Sequence, residues 1–334
     1  MLSPLMAAGV LTACALIYSF LNGMHDGANT VATAITSRSL PPRMALWMVG
    51  LAEFLGPRIF GVAVAQTIGA GVVSPEAVTI TVTIAALVGA SAWNILTWRL
   101  GIPSSSSHAL IGGLLGAVLV STRFDFAVLQ PSGLVMIVAG LFLAPIASLL
   151  AAYMLMSIIQ FLLRGARPNV NWFFKRAQIV TTLGLALSHG ANDAPKTMGI
   201  IVMGLVAAGF LPTFVVPPWV IATSAGALAL GTMLGGWRLI HTLGTRFYRV
   251  RPIHAFTSQA TSGLLIIGAT ELGLPVSTSQ VVSSAIAGVG AAERFSKVRW
   301  GVLRGIAAAW VITIPATAAA GGLAYLLLRP LFGP

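Results

Sequence analysis

The chain has 334 residues, of which 57% are hydrophobic and 8% charged, with a formal net charge of +12. A soluble domain carries about 25% charged residues, so this chain has too little charge to coat a water-facing surface, and lipid must cover most of it. The basic residues lie between apolar blocks, which excludes nucleic acid as a partner and fits a basic cytoplasmic face. Cys14 is the single cysteine, so no intrachain disulfide or cysteine-based metal centre is possible.

Crossing the hydrocarbon core takes about 20 apolar residues. Apolar blocks run at residues 5–37 (interrupted at 23–30), 44–70, 78–98, 105–121 and 131–162. They are followed by 177–210 (interrupted at 189–196), 219–236, 253–270, 278–291 and 300–328. The first has no basic residue ahead of it and reads as a retained span rather than a cleaved signal. The two series match block for block, down to Pro145 and Pro315 in the last block of each. The expected fold is an all-α polytopic membrane protein of two repeats, residues 1–165 and 177–334, joined by a basic linker, 166–176. The fourth block of each half is short and only a Pro-Ser-rich turn separates it from the third. This predicts a helical hairpin with a polar tip at membrane depth, either re-entrant or fully spanning. The polar interruptions of the first blocks predict a broken helix in each half.

With this parity the halves are inverted. Arg38, Arg43, Arg164, Arg167, Lys175, Arg176, Arg238, Arg246, Arg249, Arg251, Arg294, Lys297, Arg299 and Arg304 then share one face, against Arg123 and Arg329 on the other. The positive-inside rule makes the first face cytoplasmic and puts both termini outside.

Two short motifs each occur twice. Asn22-Gly23-Met24-His25-Asp26-Gly27-Ala28-Asn29 is echoed by His189-Gly190-Ala191-Asn192-Asp193-Ala194-Pro195-Lys196. Gly101-Ile102-Pro103 with Ser104, Ser105, Ser106, Ser107 and His108 is echoed by Gly273-Leu274-Pro275-Val276 with Ser277, Thr278, Ser279 and Gln280. Free N–H groups and hydroxyls at a helix N-terminus, reinforced by the dipole, suit an anion. Inversion would bring two such termini together near the midplane around a small tetrahedral oxyanion. Asp26 and Asp193 are expensive in a membrane unless paired, protonated or bound to a cation, while Asn29 and Asn192 offer neutral oxygens of the kind that hold Na⁺. Carboxylates beside an anion site repel the anion until a cation neutralises them, so anion and cation binding become mutually dependent, the thermodynamic basis of symport.

The same residues admit blander roles. The serines can cap helices or pack between them, and Lys196, one turn beyond Asn192, can simply pair with Asp193. Glu53 and Glu271 are candidate proton sites or partners of Arg58 and Arg99. His108 and Gln280 read as hydrogen-bonding the tip backbone, and His189 as packing or proton relay. An intramembrane hydrolase is disfavoured because adjacent Ser107 and His108 do not make a nucleophile–base pair and duplicated half-sites suit binding better. An anion channel gains nothing from buried carboxylates.

At these motifs the chain resembles the inorganic phosphate transporter (PiT) family, whose hallmarks are two Gly-Ala-Asn-Asp-type signatures and two serine-rich hairpin tips in inverted halves. Residues 93–113 and 190–201 look similar to bacterial members, which implies the plasma membrane. The resemblance implies cation-coupled phosphate import, not enzymatic activity. The tip residues Ser104–Ser107 and Ser277–Ser279 would hold the anion, and His25, Asp26, Asn29, Asn192 and Asp193 would serve the coupling ion. Family members use Na⁺ or H⁺, and some relatives carry sulfate. A Na⁺ would sit at Asp26, Asn29, Asn192 and Asp193. His25 stands where the sodium-coupled pattern has Asn, and an imidazole titrates near neutral pH, which leans toward H⁺. Protonated phosphate can donate a hydrogen bond to Asp26 or Asp193 and sulfate cannot, which favours phosphate. No cofactor is expected, and the sequence leaves open a metal–phosphate complex as cargo and a homo-oligomer.

Overall fold

The computed structural model describes residues 3–165, 167, 169–241 and 250–333. Among these the regular structure is helical, apart from an isolated bridge between Val73 and Leu129. The first half contains α1 (Pro4–Thr36), α2 (Pro42–Phe60), α3 (Ala63–Ala70), α4 (Ile80–Leu100), α5 (Ser106–Ser121) and α6 (Pro131–Leu162). The second contains α7 (Val170–Ala207), α8 (Pro218–Leu234), α9 (Trp237–His241), α10 (Pro252–Glu271), α11 (Thr278–Arg294) and α12 (Trp300–Phe332). Proline opens α1, α2, α6, α8 and α10, where its missing N–H costs nothing and its fixed φ favours the first turn. By length and apolar character α1, α4, α6 and α12 can each cross a membrane, as can α2 and α3 together as one bent span. Leu143 on α6 and Leu327 on α12 are exposed, as a lipid-facing surface requires. The chain is a multi-pass integral membrane protein. Of the residues read as a basic face, Arg246 and Arg249 lie outside the described residues, as do 166 and 168 of the linker.

One expectation is corrected. Neither polar motif breaks its helix: α1 runs unbroken through 23–30 and α7 through 189–196, Pro195 included. The polar side chains find partners on neighbouring helices, so the backbone need not open to satisfy them. The glycines serve close approach instead. A Cβ at Gly23 would collide with the Leu228 carbonyl of α8, and a Cβ at the equivalent Gly190 with the Glu53 carbonyl of α2. The bend falls in the second block of the first half, where α2 and α3 meet at 82° around Gly61. In the second half α8 and α9 are separated at Gly235 and Gly236.

The halves exchange partners reciprocally. α1 packs on α8 of the other half, and α7 on α2. The α4–α5 hairpin is covered by α12, and the α10–α11 hairpin by α6. Each hairpin turns at a glycine in the left-handed region, Gly101 (φ 65°) and Gly273 (φ 66°), followed by a proline that cannot continue the helix. The polar tips thus enter a core framed by α1 and α7.

Candidate anion and cation site

The two tips meet. Ser107 Oγ donates to the Val276 carbonyl (3.2 Å) and Ser279 Oγ to the Ser104 carbonyl (2.6 Å), so each tip holds the other's backbone. All seven tip residues Ser104–Ser107 and Ser277–Ser279 are buried. Their hydroxyls are not equivalent. Ser105 Oγ caps α5 by accepting from His108 N (3.1 Å), the ordinary N-cap role. Ser277 makes no cap bond and lies 3.1 Å from Ser279 Oγ. Ser104 Oγ donates to Thr97 Oγ1 of α4 (3.1 Å). Ser106 and Thr278 point at carboxylates.

Asp26 lies on α1 among neutral groups and one imidazole. Ser106 Oγ donates to its Oδ2 in a short hydrogen bond. Its Oδ1 accepts from Asn29 Nδ2 (3.3 Å) and lies 3.0 Å from His25 Nδ1. The far ring nitrogen of His25 faces Thr97 Oγ1 (3.2 Å) and Ser104 Oγ (3.4 Å), tying the acidic motif to the base of the first hairpin. The buried side-chain oxygens of Asn29 and Asn22 receive no hydrogen bond.

Asp193 on α7 is surrounded on both oxygens. Oδ1 lies 2.7 Å from Lys196 Nζ and accepts from Thr278 Oγ1 (3.3 Å). Oδ2 accepts from Asn22 Nδ2 of the other half (3.2 Å) and lies 3.3 Å from His189 Nε2. His189 Nδ1 in turn meets Glu53 Oε1 at 2.6 Å. Glu53 therefore pairs across halves with His189, not with Arg58 or Arg99 as the alternative reading held. Every member of this chain is buried.

Asn192 is turned toward the second hairpin, donating to Thr270 Oγ1 (2.9 Å) and the Leu274 carbonyl (3.1 Å) and accepting from Val276 N (3.2 Å). It fastens the tip that Thr278 extends to Asp193. Contrary to the expectation, His108 and Gln280 do not hold the tip backbone through their side chains; they bond each other across the halves at 3.2 Å. Glu271 is the outlier: it is exposed at the end of α10 and stands apart from the buried cluster. Sequence reasoning did not single out Thr97, Thr270 or Asn22 as contributors. Asn22 was readable, because it stands four residues before Asp26 just as His189 stands four before Asp193.

The arrangement gives two buried carboxylates, each touched by a hydroxyl from a helix N-terminus of its own half. An anion at the tips and a cation at the carboxylates would compete for, or share, the same hydroxyls.

The sequence model of the phosphate transporter family matches residues 22–321. A protein of Rhizobium meliloti (strain 1021) named probable low-affinity inorganic phosphate transporter is 44% identical over 94% of each chain. A protein of the same name from Bacillus subtilis (strain 168) is 39% identical over 97% of each. A solved structure titled the sodium-dependent phosphate transporter superposes with a TM-score of 0.88 at 24% identity, covering 98% of this chain and 100% of that one, which shows a shared fold.

Proposed function

The chain belongs to the phosphate transporter family, and from that premise we propose that it imports inorganic phosphate across the plasma membrane by cation symport, with H⁺ favoured over Na⁺. Two inverted halves, residues 1–165 and 177–334, expose the buried tips alternately to either side, with both termini outside. Two tips that approach and bond each other's backbones support inversion.

The observation that carries the coupling is the pair of bonds Ser106 to Asp26 and Thr278 to Asp193. A phosphate at the tips draws those hydroxyls and the helix N-termini toward itself. The carboxylate that loses its donor beside an anion then needs a cation. Each ligand raises the affinity of the other by the same factor, as linkage demands. A proton shared between His25 Nδ1 and Asp26 Oδ1 meets that need at the first half-site. One observation favours Na⁺ instead: the free Asn29 oxygen is a neutral ligand next to Asp26.

Uptake of labelled phosphate into proteoliposomes, at fixed membrane potential and with pH and Na⁺ gradients imposed separately, decides between them. A pH gradient alone should drive accumulation, and His25→Asn should flatten the pH dependence. Strong Na⁺ dependence with no response to pH would overturn the proton assignment. Equal competition by sulfate would overturn the substrate, and no gradient-driven uptake at all would overturn symport.

A further inference from the structure

In the acidic motif, position three after the aspartate is Asn29 in the first half and Lys196 in the second. The lysine is fully buried, and its ammonium carries out a definite task. Nζ lies 2.7 Å from Asp193 Oδ1, 2.6 Å from Ser107 Oγ of the first tip and 2.7 Å from the Val276 carbonyl of the second. An ammonium has three protons to donate, and three oxygens receive them: one carboxylate, one hydroxyl and one backbone carbonyl. Carboxylate and backbone carbonyl oxygens are ligands that a hard cation takes, so the ammonium holds oxygens of a kind that a metal cation would use. Around Asp26 no lysine or arginine makes an ion pair among the described residues, and the side-chain oxygen at position three is unpartnered.

We infer that Lys196 is a covalently tethered cation occupying the coupling-ion place of the second half-site, so that only the Asp26 half-site takes up a mobile cation in each cycle. The inference rests on the reading of the chain as a cation-coupled phosphate carrier and adds to it a stoichiometry. The second half is already neutral at the Asp193–Lys196 pair and gains little from another cation. A mobile ion would have to displace an ammonium that the backbone holds at high effective concentration. Because Lys196 touches both tips, its ammonium also stands beside the place the anion would take, and its pairing with Asp193 leaves one fewer mobile cation to accompany the anion.

The test removes the tether. Lys196→Asn restores the residue type of the first half, and phosphate binding is measured on purified protein in Na⁺ and in choline at one pH. The parent's phosphate affinity sets the reference cation requirement. The variant should bind phosphate at least tenfold more weakly in choline and recover in Na⁺, its Na⁺ requirement rising by one over the parent's, whichever cation serves Asp26. Ethylammonium, a free copy of the lost group, should also restore binding. A cation response equal to the parent's would overturn the inference. Thermal melting without phosphate gives a reading independent of the substrate: Na⁺ should stabilise Lys196→Asn more than the parent, and equal stabilisation counts against the tether. Failure of the parent to bind phosphate would instead sink the underlying carrier reading. If the variant aggregates, recovery of monodisperse protein with Na⁺ or ethylammonium present supports the tether, and no recovery with either overturns it.

Discussion

The two acidic motifs share a sequence pattern, each on a long helix, α1 and α7, yet their surroundings differ. Asp193 has an ammonium, an imidazole, an amide and a hydroxyl on its two oxygens. Asp26 has an imidazole, an amide and a hydroxyl, and no fixed ammonium. A duplicated site therefore need not be used twice in the same way. Asp193 has an ammonium of the chain itself beside it, and Asp26 has none among the described residues.

The largest effect should come from removing the uncompensated charge. Asp26→Asn keeps the shape and still accepts from Ser106, so the fold should persist while gradient-driven phosphate accumulation in proteoliposomes disappears. Persisting accumulation would mean that the first half-site does not couple. Asp193→Asn should act first on stability, because it strands a buried ammonium. Breaking a buried ion pair costs about 3–5 kcal/mol, a loss visible as a lower melting temperature in detergent. Asp193→Asn combined with Lys196→Met should regain much of it, and equal melting of the Asp26 and Asp193 single variants would erase the contrast.

Ser106→Ala and Thr278→Ala remove the hydroxyl that links tip to carboxylate in each half. A buried donor is worth about 1–3 kcal/mol, so phosphate affinity should fall roughly ten- to hundredfold for either. A fall in only one would show that one tip carries the anion. The smallest effect separates Ser105 from Ser277. Ser105→Ala loses an N-cap worth about 1 kcal/mol, whereas Ser277 makes no cap bond, so its alanine variant should melt closer to the parent.

Much of this was legible before any coordinates. Most apolar blocks became a helix or a bent pair within a few residues of their expected bounds, because long apolar runs in a membrane admit few other structures; α7 is the exception, beginning at Val170 inside the stretch expected as a linker. The tips were legible from Pro103 and Pro275 followed by hydroxyls. The continuity of α1 through Asp26 was not, since it depends on partners such as Ser106 that are distant in sequence. Nor was the cross-half pair of Glu53 and His189, because their separation of 136 residues carries no local signal. Glu271 illustrates the reverse error. Its position beside a tip suggested a role, but it ends α10 on the exposed side.

The reciprocal packing bears on how the protein is made. As synthesis proceeds from the N-terminus, α4 and α5 enter the membrane well before α12, which covers them in the finished fold. Asn22 waits likewise for Asp193, and α2 for α7. The membrane helices of the first half must therefore be inserted with their polar faces provisionally satisfied by lipid headgroups, water or one another, and reach their final partners only once the remainder has followed. Contacts of such long sequence separation form late and slowly. Residues 1–165 expressed alone should insert yet stay degradable, and co-expression of residues 166–334 as a separate chain should rescue them.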